Sequence, residues 1–377
     1  MLGHAVFLDA NAGEPTLQEA KAALLAALND IGNPSSTHAL GRAARARLDQ
    51  ARDHIAAALG AQAREVVLTS GASEANRWLV DALSASDDRA VVVTTAFEHP
   101  SLRRPLERAA AEGTIAVDML GIANDNVDVD TAMLARADVL FCTAAHNETG
   151  IVPPLSALLA HVRADCLVCV DAAQAAGRMA PLPGRVDAIV ASAHKLGGVA
   201  GAGALVLRGN ARRLRPPWRG GGQEAGLRPG TEALALHAAF GAAAAVIEDT
   251  RLRHASLAPL RDRLERALVS AWGARALGAG GSRLANTTAL VVTGVDGDAL
   301  RIAIDAAGVC VGFGSACSAM APEPSPSLRA LGLSDDDARA TVRLSLASSA
   351  VDADIDLAIA RLSPLAALME RSRRRRR

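Results

Sequence analysis

The sequence predicts an α/β fold, with a mainly parallel sheet covered by helices on both faces and followed by a smaller α+β domain. Short runs rich in β-branched residues alternate with longer Ala-, Leu- and Arg-rich stretches, which is the pattern of βαβ units. Most of the short runs are apolar throughout, as expected for parallel strands that are buried on both faces. The chain has 377 residues, enough for about two domains of typical size.

The first part of the chain supplies the elements of the large sheet. Amphipathic helices are predicted at 17–30 and 40–59, and a third helix begins at about Ser73. The predicted strands are, in chain order, 65–69, 90–95, 115–118, 138–143, 167–171, 187–191 and 203–207. We therefore expect a seven-stranded type of sheet within a large domain spanning residues 15–250.

The order of elements changes in the second part of the chain. The predicted elements are a long helix at 246–270, a strand at 287–293, a helix at 297–307 and strands at 309–313 and 340–346. We expect residues 1–14 and 251–370 to form the smaller α+β domain. The run RSRRRRR at 371–377 is predicted to be a disordered, solvated terminus.

Charge and composition exclude several classes of partner. The 40 basic residues balance the 40 acidic ones, so no net charge draws the chain to nucleic acid or to an anionic membrane. Three Trp, five Phe and no Tyr are too few aromatic residues for a module that stacks bases. No run approaches the roughly 18 apolar residues of a membrane span, and the first eight residues are too short for a signal peptide. We expect a cytoplasmic protein.

Lysine is rare in this chain, and one of the two lysines lies where a ligand would bind. Lys195 follows the apolar strand 187–191 in the sequence SAHK, and open α/β sheets bind ligands at the carboxyl ends of their strands. A partly desolvated lysine amine can form a Schiff base, whereas a guanidinium stays protonated. Lys21, among Ala and Glu on an early helix, is expected to be a solvated surface residue. Lys195 is therefore the candidate catalytic lysine.

Two further segments lie at strand ends. Asp171 ends the strand 167–171, where a carboxylate can hold the protonated ring nitrogen of a cofactor or cap a following helix. The segment TSGASEAN (69–76) joins a strand to a helix, and its free N–H groups can bind phosphate. From this segment alone, a simple turn with Ser73 as the helix N-cap and Glu74 in the first turn is the better explanation.

The five cysteines fall into two groups. Their odd number and the absence of a secretory leader predict reduced thiols. Four lie in apolar strands, and Cys166 and Cys169 point to different faces with no second pair to complete a zinc site. Cys317 instead lies in a Gly/Ser/Ala loop at 312–320, exposed enough to act as a nucleophile once it is deprotonated.

Together these segments resemble the cysteine desulfurases, the NifS-like branch of the class-V aminotransferases that depend on pyridoxal 5'-phosphate (PLP). The resemblance extends from Phe7 to about Ser349. It rests on eight motifs in order and the strand TVRLSL (341–346): TSGASEAN (69–76), EHPS (98–101), HNETG (146–150), VDAAQAAG (170–177), SAHK (192–195), GGGQEAGLRPGT (220–231), GSACSA (314–319) and LRALGL (328–333). It implies the type I fold of PLP-dependent transferases, a homodimer, and conversion of L-cysteine to L-alanine.

The resemblance also implies how PLP would be held. Lys195 would bind it covalently and act as the base at the substrate Cα. Asp171 would pair with the pyridine nitrogen, Gln174 would reach the phenolic oxygen, and His99 would stack on the ring and transfer protons. The residues expected to hold the phosphate are Ala72, Ser73, Ser192 and His194, with Thr231 contributing from the neighbouring subunit.

Three more residues would act on the substrate. Asn147 and Arg343 would bind its carboxylate, Arg343 through a bidentate fork. Cys317 would attack the substrate sulfur, become a persulfide and pass the sulfur to an acceptor such as an iron–sulfur scaffold, or to thiolated cofactors. No resident metal is expected, and the Cys317 persulfide would be at most a transient iron–sulfur ligand. Taken alone, His99 before Pro100 is also compatible with a turn residue, and Arg343 with a salt bridge at the core edge.

The sequence departs from the family pattern at a few positions. Gly13 and Glu14 stand where two threonines are usual, Val199 replaces a common proline, and Ala347 replaces a usual glycine. None of these removes a catalytic group, but they leave the rate and the acceptor open. Two alternatives also stay open: a PLP-dependent aminotransferase or selenocysteine/cysteine lyase that does not need the thiol, and an inactive relative that acts as a binding partner in sulfur transfer.

Overall fold

Two sheets organise the computed structural model, which describes residues 5–86, 88–314 and 323–376. The larger sheet has seven strands, in spatial order β2 (Val66–Thr69), β10 (Gly203–Leu207), β9 (Ala188–Ser192), β8 (Leu167–Asp171), β7 (Val139–Thr143), β3 (Val91–Thr95) and β4 (Ala116–Leu120). Strands β9, β8, β7, β3 and β4 are parallel, and only β10 runs antiparallel to its neighbours β9 and β2. The predicted mainly parallel sheet is confirmed.

The smaller sheet joins the two ends of the chain. Its strands are, in spatial order, β1 (Val6–Leu8), β13 (Val309–Phe313), β14 (Thr341–Ser345), β12 (Thr287–Val291) and β11 (Arg275–Ala276). Strand β1 runs parallel to β13, and the other pairs are antiparallel. Strands β5 (Ile122–Ala123) and β6 (Asn126–Val127) form a separate short ladder. The segment after β1, residues 9–14, therefore runs from the small sheet toward the large one.

Helices cover the sheets. In the described part of the chain they are α1 (Gln18–Ala27), α2 (Ala39–Ala58), α3 (Ala72–Ser84), α4 (Pro100–Ala111), α5 (Thr131–Ala135), α6 (Leu155–His161), α7 (Leu234–Ala245), α8 (Ile247–Ala255), α9 (Ala258–Trp272), α10 (Gly297–Ala306), α11 (Pro326–Ala330), α12 (Asp335–Arg339), α13 (Asp352–Leu362) and α14 (Ala366–Arg376). None of them is long and apolar enough to cross a membrane.

The large sheet is buried on both faces. Along β8, Val168 and Val170 pack into one apolar cluster while Leu167 and Cys169 pack into the other. Successive side chains of a strand point to opposite faces, so a strand between two cores must be apolar throughout. Cys166 lies in the first cluster, which confirms that Cys166 and Cys169 face different sides of the sheet.

The structure differs from the sequence prediction at two helices. The helix predicted at 246–270 is divided into α8 and α9, because Pro259 lies in the first turn of α9 and cannot continue a helix that began earlier. The tail predicted to be disordered from Arg371 instead continues α14 through Arg376. Arg373 gives this helix fixed contacts, since its guanidinium donates to the carbonyls of Trp272 at 2.8 Å and Thr293 at 3.1 Å.

Candidate active site

A cavity of about 320 Å³ lies at the carboxyl ends of β8 and β9. This is the edge of an open α/β sheet at which ligands bind. Residues from both sheets line it. The predicted site residues found in its wall are Ala72, Ser73, His99, Asn147, Asp171, Gln174, Ser192, His194, Lys195 and Arg343.

Asp171 is fixed at the base of the cavity. It is buried at the end of β8, and its Oδ2 accepts a hydrogen bond of 2.8 Å from Asn76 Nδ2. Its Oδ1 accepts from the backbone N–H of Ala173 at 2.9 Å. Residues 173–178 form turns, so Asp171 is not the cap of a following helix. These two hydrogen bonds fix the side chain of Asp171, as is expected for a group that contacts one particular ligand atom.

Lys195 enters the cavity from the short 3-10 helix Ala193–Lys195, which directly follows β9. Its Nζ donates to the carbonyl of Asn11 and, at 2.9 Å, to the carbonyl of Ala12. Both acceptors belong to the segment after β1. Lys195 is half-buried whereas Lys21 is exposed, so the expectation of a solvated Lys21 is confirmed.

His99 has two roles in the structure. It is the N-cap of α4, because its Nδ1 accepts from the N–H of Ser101 at 3.1 Å, and it also lines the cavity. Since Nδ1 is an acceptor, the neutral ring carries its proton on Nε2. Burial lowers the pKa of His99, the charge of Lys195 lowers it further, and Asp171 opposes both effects. His99 is therefore a neutral imidazole with one N–H group left for the cavity.

The start of α3 forms a second wall. The N-cap is Gly71, with no side-chain capping bond, so the structure does not support Ser73 as the cap. Glu74 lies in the first turn as expected, and its Oε2 accepts from the N–H of Ser70 at 2.7 Å. The N–H groups at the start of a helix attract anions.

The opposite side of this anion site is formed by Ser192 and His194. Ser192 Oγ lies 2.9 Å from His194 Nδ1. Burial lowers the pKa of His194 to about 4, with the charges of Lys195 and Arg178 adding to the effect. His194 is therefore neutral at neutral pH. Hydroxyl, imidazole and helix N–H groups together can hold a phosphate.

Arg343 reaches the cavity from β14 and already has a partner. Its Nη2 forms an ion pair of 2.5 Å with Asp9 Oδ1, and its Nη1 donates to the carbonyls of Asn147 at 3.1 Å and Gly314 at 3.4 Å. Within residues 5–86, 88–314 and 323–376, its Nε has no hydrogen-bond partner. The guanidinium packs on Gly312, where a Cβ would lie 2.3 Å from Nη2. Arg343 is thus both a buried salt-bridge residue and a cation available to an anionic ligand.

Of the predicted site residues that the structure describes, one is not in the cavity wall. Thr231 is exposed and does not line it. Cys317 lies in 315–322, outside the described residues. Gly314, directly before that segment, contacts Arg343 through its carbonyl.

Sequence reasoning missed several residues that support the site. Asn11, Asn76, Ser101 and Asp9 contact Lys195, Asp171, His99 and Arg343, respectively. Asn76 and Ser101 fall inside the recognised segments 69–76 and 98–101, and Asn11 lies four residues after Phe7, yet no role followed from their positions. The spacing of Asn76 could have indicated that it lies near the site, because it follows Ala72 by four residues, one helical turn along the same face.

Comparisons with known proteins agree with this geometry. A cysteine desulfurase from Enterobacter agglomerans is 35% identical over 96% of this chain and 92% of its own. One from Bradyrhizobium diazoefficiens is 34% identical over 98% and 96%. The solved NifS-like protein from Rickettsia africae superposes with a TM-score of 0.84 at 25% identity, covering 96% of this chain and 99% of its own. The structure titled "SspA in complex with cysteine" gives 0.77 at 27% identity, over 92% and 99%.

The family model of the class-V aminotransferases matches residues 6–357, which include both sheets and every element that lines the cavity. The two cysteine desulfurases align with this chain over 92% and 96% of their own length. The chain therefore belongs to the aminotransferase class-V family.

Proposed function

We propose that this chain is a cysteine desulfurase that uses PLP to convert L-cysteine to L-alanine and keeps the sulfur as a persulfide on Cys317. Its family uses PLP, and the curated relatives described above are named cysteine desulfurases. The observation that carries the proposal is the arrangement of one cavity. It brings an amine, a carboxylate, a neutral imidazole and an anion-binding helix start to the same place.

The side chains of the cavity fit the functional groups of PLP. Lys195 offers a primary amine to an aldehyde, and Asp171 offers a carboxylate to a pyridine N–H. The start of α3, with Ser192 and His194, offers N–H and hydroxyl donors to a phosphate. When bound, PLP supplies an electron sink for the electron pair released at the substrate Cα.

Two residues of the chain, Lys195 and His99, are placed to take part in proton transfer. Lys195, surrounded by carbonyl acceptors and half-buried, is placed to act as the base at the substrate Cα. His99 exchanges protons with the cavity only through Nε2, because Ser101 occupies Nδ1. Its lowered pKa keeps it neutral at neutral pH, and in that form its Nε2–H is a hydrogen-bond donor toward the cavity.

Arg343 and Cys317 are the residues proposed for substrate binding and sulfur transfer. The carboxylate of cysteine would bind Arg343, whose Nε has no partner among the described residues, in competition with Asp9. The Cys317 thiolate then bonds to the substrate sulfur while the substrate Cβ–S bond breaks. The substrate sulfur becomes the outer sulfur of the persulfide. The electron pair of the broken bond stays with the carbon, which takes up a proton and becomes the methyl group of alanine, so no external oxidant is needed.

The proposal also includes the oligomeric state of the enzyme, its location and the acceptor of its sulfur. We infer a cytoplasmic homodimer in which Thr231, exposed and outside its own cavity, contacts the phosphate in the neighbouring subunit. The persulfide sulfur would pass to an acceptor protein such as an iron–sulfur scaffold. A size measurement in solution tests the dimer, and pull-down of a purified scaffold tests the acceptor.

The proposed reaction is tested by replacing the nucleophile. With L-cysteine, PLP and dithiothreitol, Cys317→Ser should release alanine and sulfide more slowly by on the order of 100-fold, because a hydroxyl does not replace a thiolate. Cys310→Ser is the matched control, since Cys310 is half-buried on β13, shortly before Cys317 in the sequence, and it should keep the wild-type rate. Alanine release by Cys317→Ser at the wild-type rate would instead indicate a lyase.

The role of Lys195 has its own test. Lys195→Arg keeps the charge but cannot attach PLP covalently. After borohydride reduction, the wild-type protein should gain the mass of reduced PLP, and Lys195→Arg should gain none. The matched control is Lys21→Arg, which changes the exposed lysine and should label like the wild type. Covalent labelling of Lys195→Arg would refute the assignment of this lysine.

A further inference from the structure

A buried pair of opposite charges lies behind the active-site cavity. The side chains of Glu14 and Arg178 are each only 1% exposed, and Glu14 Oε2 lies 3.8 Å from Arg178 Nη2. His254 Nε2 lies 3.6 Å from the same carboxylate oxygen. Burial lowers the pKa of His254 to about 3, and Arg178 adds to this, so His254 is neutral. His254 therefore adds no charge to the ion pair of Glu14 and Arg178.

Arg178 holds three groups at once. It donates to the carbonyl of Ala10 at 2.9 Å, to Asn11 Oδ1 at 3.0 Å and to Gln174 Oε1. Burial lowers the pKa of Arg178 to about 10, so it remains a cation at neutral pH. A buried cation without a counter-charge is strongly destabilising, and Glu14 supplies that charge.

Glu14 also forms hydrogen bonds with two further segments of the chain. Its Oε1 accepts from the N–H of Ser348 at 2.6 Å, just beyond the strand that carries Arg343. Its own N–H donates to the carbonyl of His194 at 2.9 Å, next to Lys195. Burial raises the pKa of Glu14, whereas the charge of Arg178 and the bond from Ser348 lower it.

Two groups of the cavity depend on the segment between these contacts. Lys195 Nζ donates to the carbonyls of Asn11 and Ala12, which lie between Ala10 and Glu14 in sequence. The Gln174 amide must turn its oxygen toward Arg178, because a guanidinium has only donors. Its nitrogen then faces the carbonyl of Asn11, at 2.9 Å, and has a second N–H for the cavity that Gln174 lines.

We propose that Glu14 and Arg178 form a charge clamp that positions the Lys195 amine and orients the Gln174 amide as a donor to the cofactor. They are positioning residues, since neither lines the cavity. The inference deepens the proposed function and rests on it. It also explains a departure from the family pattern: Glu14, where a threonine is usual, is the counter-charge of this buried arginine.

The test reads the environment of bound PLP directly. The pH midpoint of its visible absorbance, without substrate, is measured for the wild type, Glu14→Gln, Arg178→Met and the double variant. Losing a donor to the ring oxygen of PLP should raise the midpoint by about 0.5 pH unit or more in all three variants. Glu265→Gln is the matched control, because Glu265 forms a largely buried pair with Arg283 at 2.7 Å, away from the cavity, and its midpoint should not move.

Thermal melting separates positioning from general stability. Each single variant leaves one buried charge alone and should lower the melting temperature, whereas the double variant should recover part of the loss. Its midpoint should nevertheless stay shifted, because the donors of Arg178 are still missing. If Arg178→Met does not fold, Glu14→Gln and the double variant carry the same test.

Two outcomes are distinguishable. A wild-type protein that binds PLP and releases alanine, with unchanged midpoints in the folded variants, would overturn the clamp alone. A wild-type protein that binds no PLP would overturn the proposed function, and the clamp with it.

Discussion

Asn76, on α3, connects two groups that face the cofactor site, Asp171 at the end of β8 and His99 at the start of α4. Its Nδ2 donates to Asp171 Oδ2 at 2.8 Å and to Ser101 Oγ at 3.1 Å. Ser101 Oγ in turn lies 2.8 Å from His99 Nδ1. One buried amide therefore fixes both the carboxylate and, through a hydroxyl, the imidazole.

Replacing this amide should affect both stability and turnover. Asn76→Ala leaves a buried oxygen of Asp171 without its donor, so we expect the free energy of unfolding to fall by about 1–3 kcal/mol. The rate of alanine release should fall about tenfold or more, because Asp171 and His99 lose their fixed orientation. Urea unfolding and an alanine assay measure the two effects.

An exposed asparagine provides the control for that change. Asn29→Ala removes only a local bond of 3.3 Å to the carbonyl of Leu25, and it should alter neither quantity. Wild-type turnover by Asn76→Ala would show that Asp171 and His99 are held by other contacts.

At the scale of elements, the turn between β2 and α3 is placed by its contact with β10. A Cβ at Gly203, the first residue of β10, would lie 2.5 Å from the Cα of Gly71 and 2.8 Å from the carbonyl oxygen of Ala191. All of these atoms are backbone, so they cannot give way as a flexible side chain can. The absence of a side chain at Gly203 lets the start of α3 approach the sheet.

We therefore expect Gly203→Ala to damage the phosphate site. Overpacking of this kind typically costs about 1–3 kcal/mol, and here it displaces the N–H groups of the helix start. The dissociation constant of PLP, measured by titrating the apo-protein, should rise about tenfold or more. Gly184→Ala, where a Cβ meets nothing within 4 Å, should bind PLP as the wild type does. Unchanged affinity in Gly203→Ala would show that this contact does not place the phosphate site.

Local patterns predicted the elements well, because strands buried on both faces and helices with one apolar face leave a periodic signal. Strand ends also pointed to Asp171 and Lys195, and both of these residues line the cavity. Contacts between distant segments left no such signal. The burial of Glu14 against Arg178 and the ion pair of Arg343 with Asp9 join residues that are 164 and 334 positions apart in the chain.

For the whole molecule, buried titratable groups make stability depend on pH in opposite directions. Burial lowers the pKa of His146 to about 3, with smaller contributions from Arg343 and His99, and burial also lowers the pKa of His254 to about 3. Burial raises the pKa of Glu98 to about 7, with Asp171 adding to the effect and hydrogen bonds from Thr95 and Thr143 opposing it. The ordinary values are 6.5 for histidine and 4.5 for glutamate.

Whether acid stabilises or destabilises the fold depends on whether the folded or the unfolded chain binds more protons. Below pH 6.5 the unfolded chain protonates His146 and His254 while the folded chain does not, so each destabilises the fold by up to about 1.4 kcal/mol per pH unit as the pH falls. Between pH 4.5 and 7 the folded chain holds a proton on Glu98 that the unfolded chain releases, so Glu98 stabilises the fold by a similar amount as the pH falls. Two histidines outweigh one glutamate, and these groups together should make stability decrease with acidification below pH 6.5.

Substitutions that remove one group at a time should change this slope in opposite directions. Between pH 6 and 5, the free energy of unfolding should fall most steeply for Glu98→Gln, less for the wild type and least for His146→Phe, with steps of about 1.4 kcal/mol per pH unit. Phenylalanine keeps a ring on Phe97, whose centroid lies 4.8 Å from that of His146. It also loses the contact of His146 Nδ1 with Thr149 Oγ1, which changes the stability at every pH and leaves the slope to report the proton. Urea unfolding at pH 6, 5.5 and 5 and equal protein concentration measures the slopes. Equal slopes for the three proteins would mean that His146 and Glu98 titrate alike in the folded and unfolded chains, contrary to their complete burial.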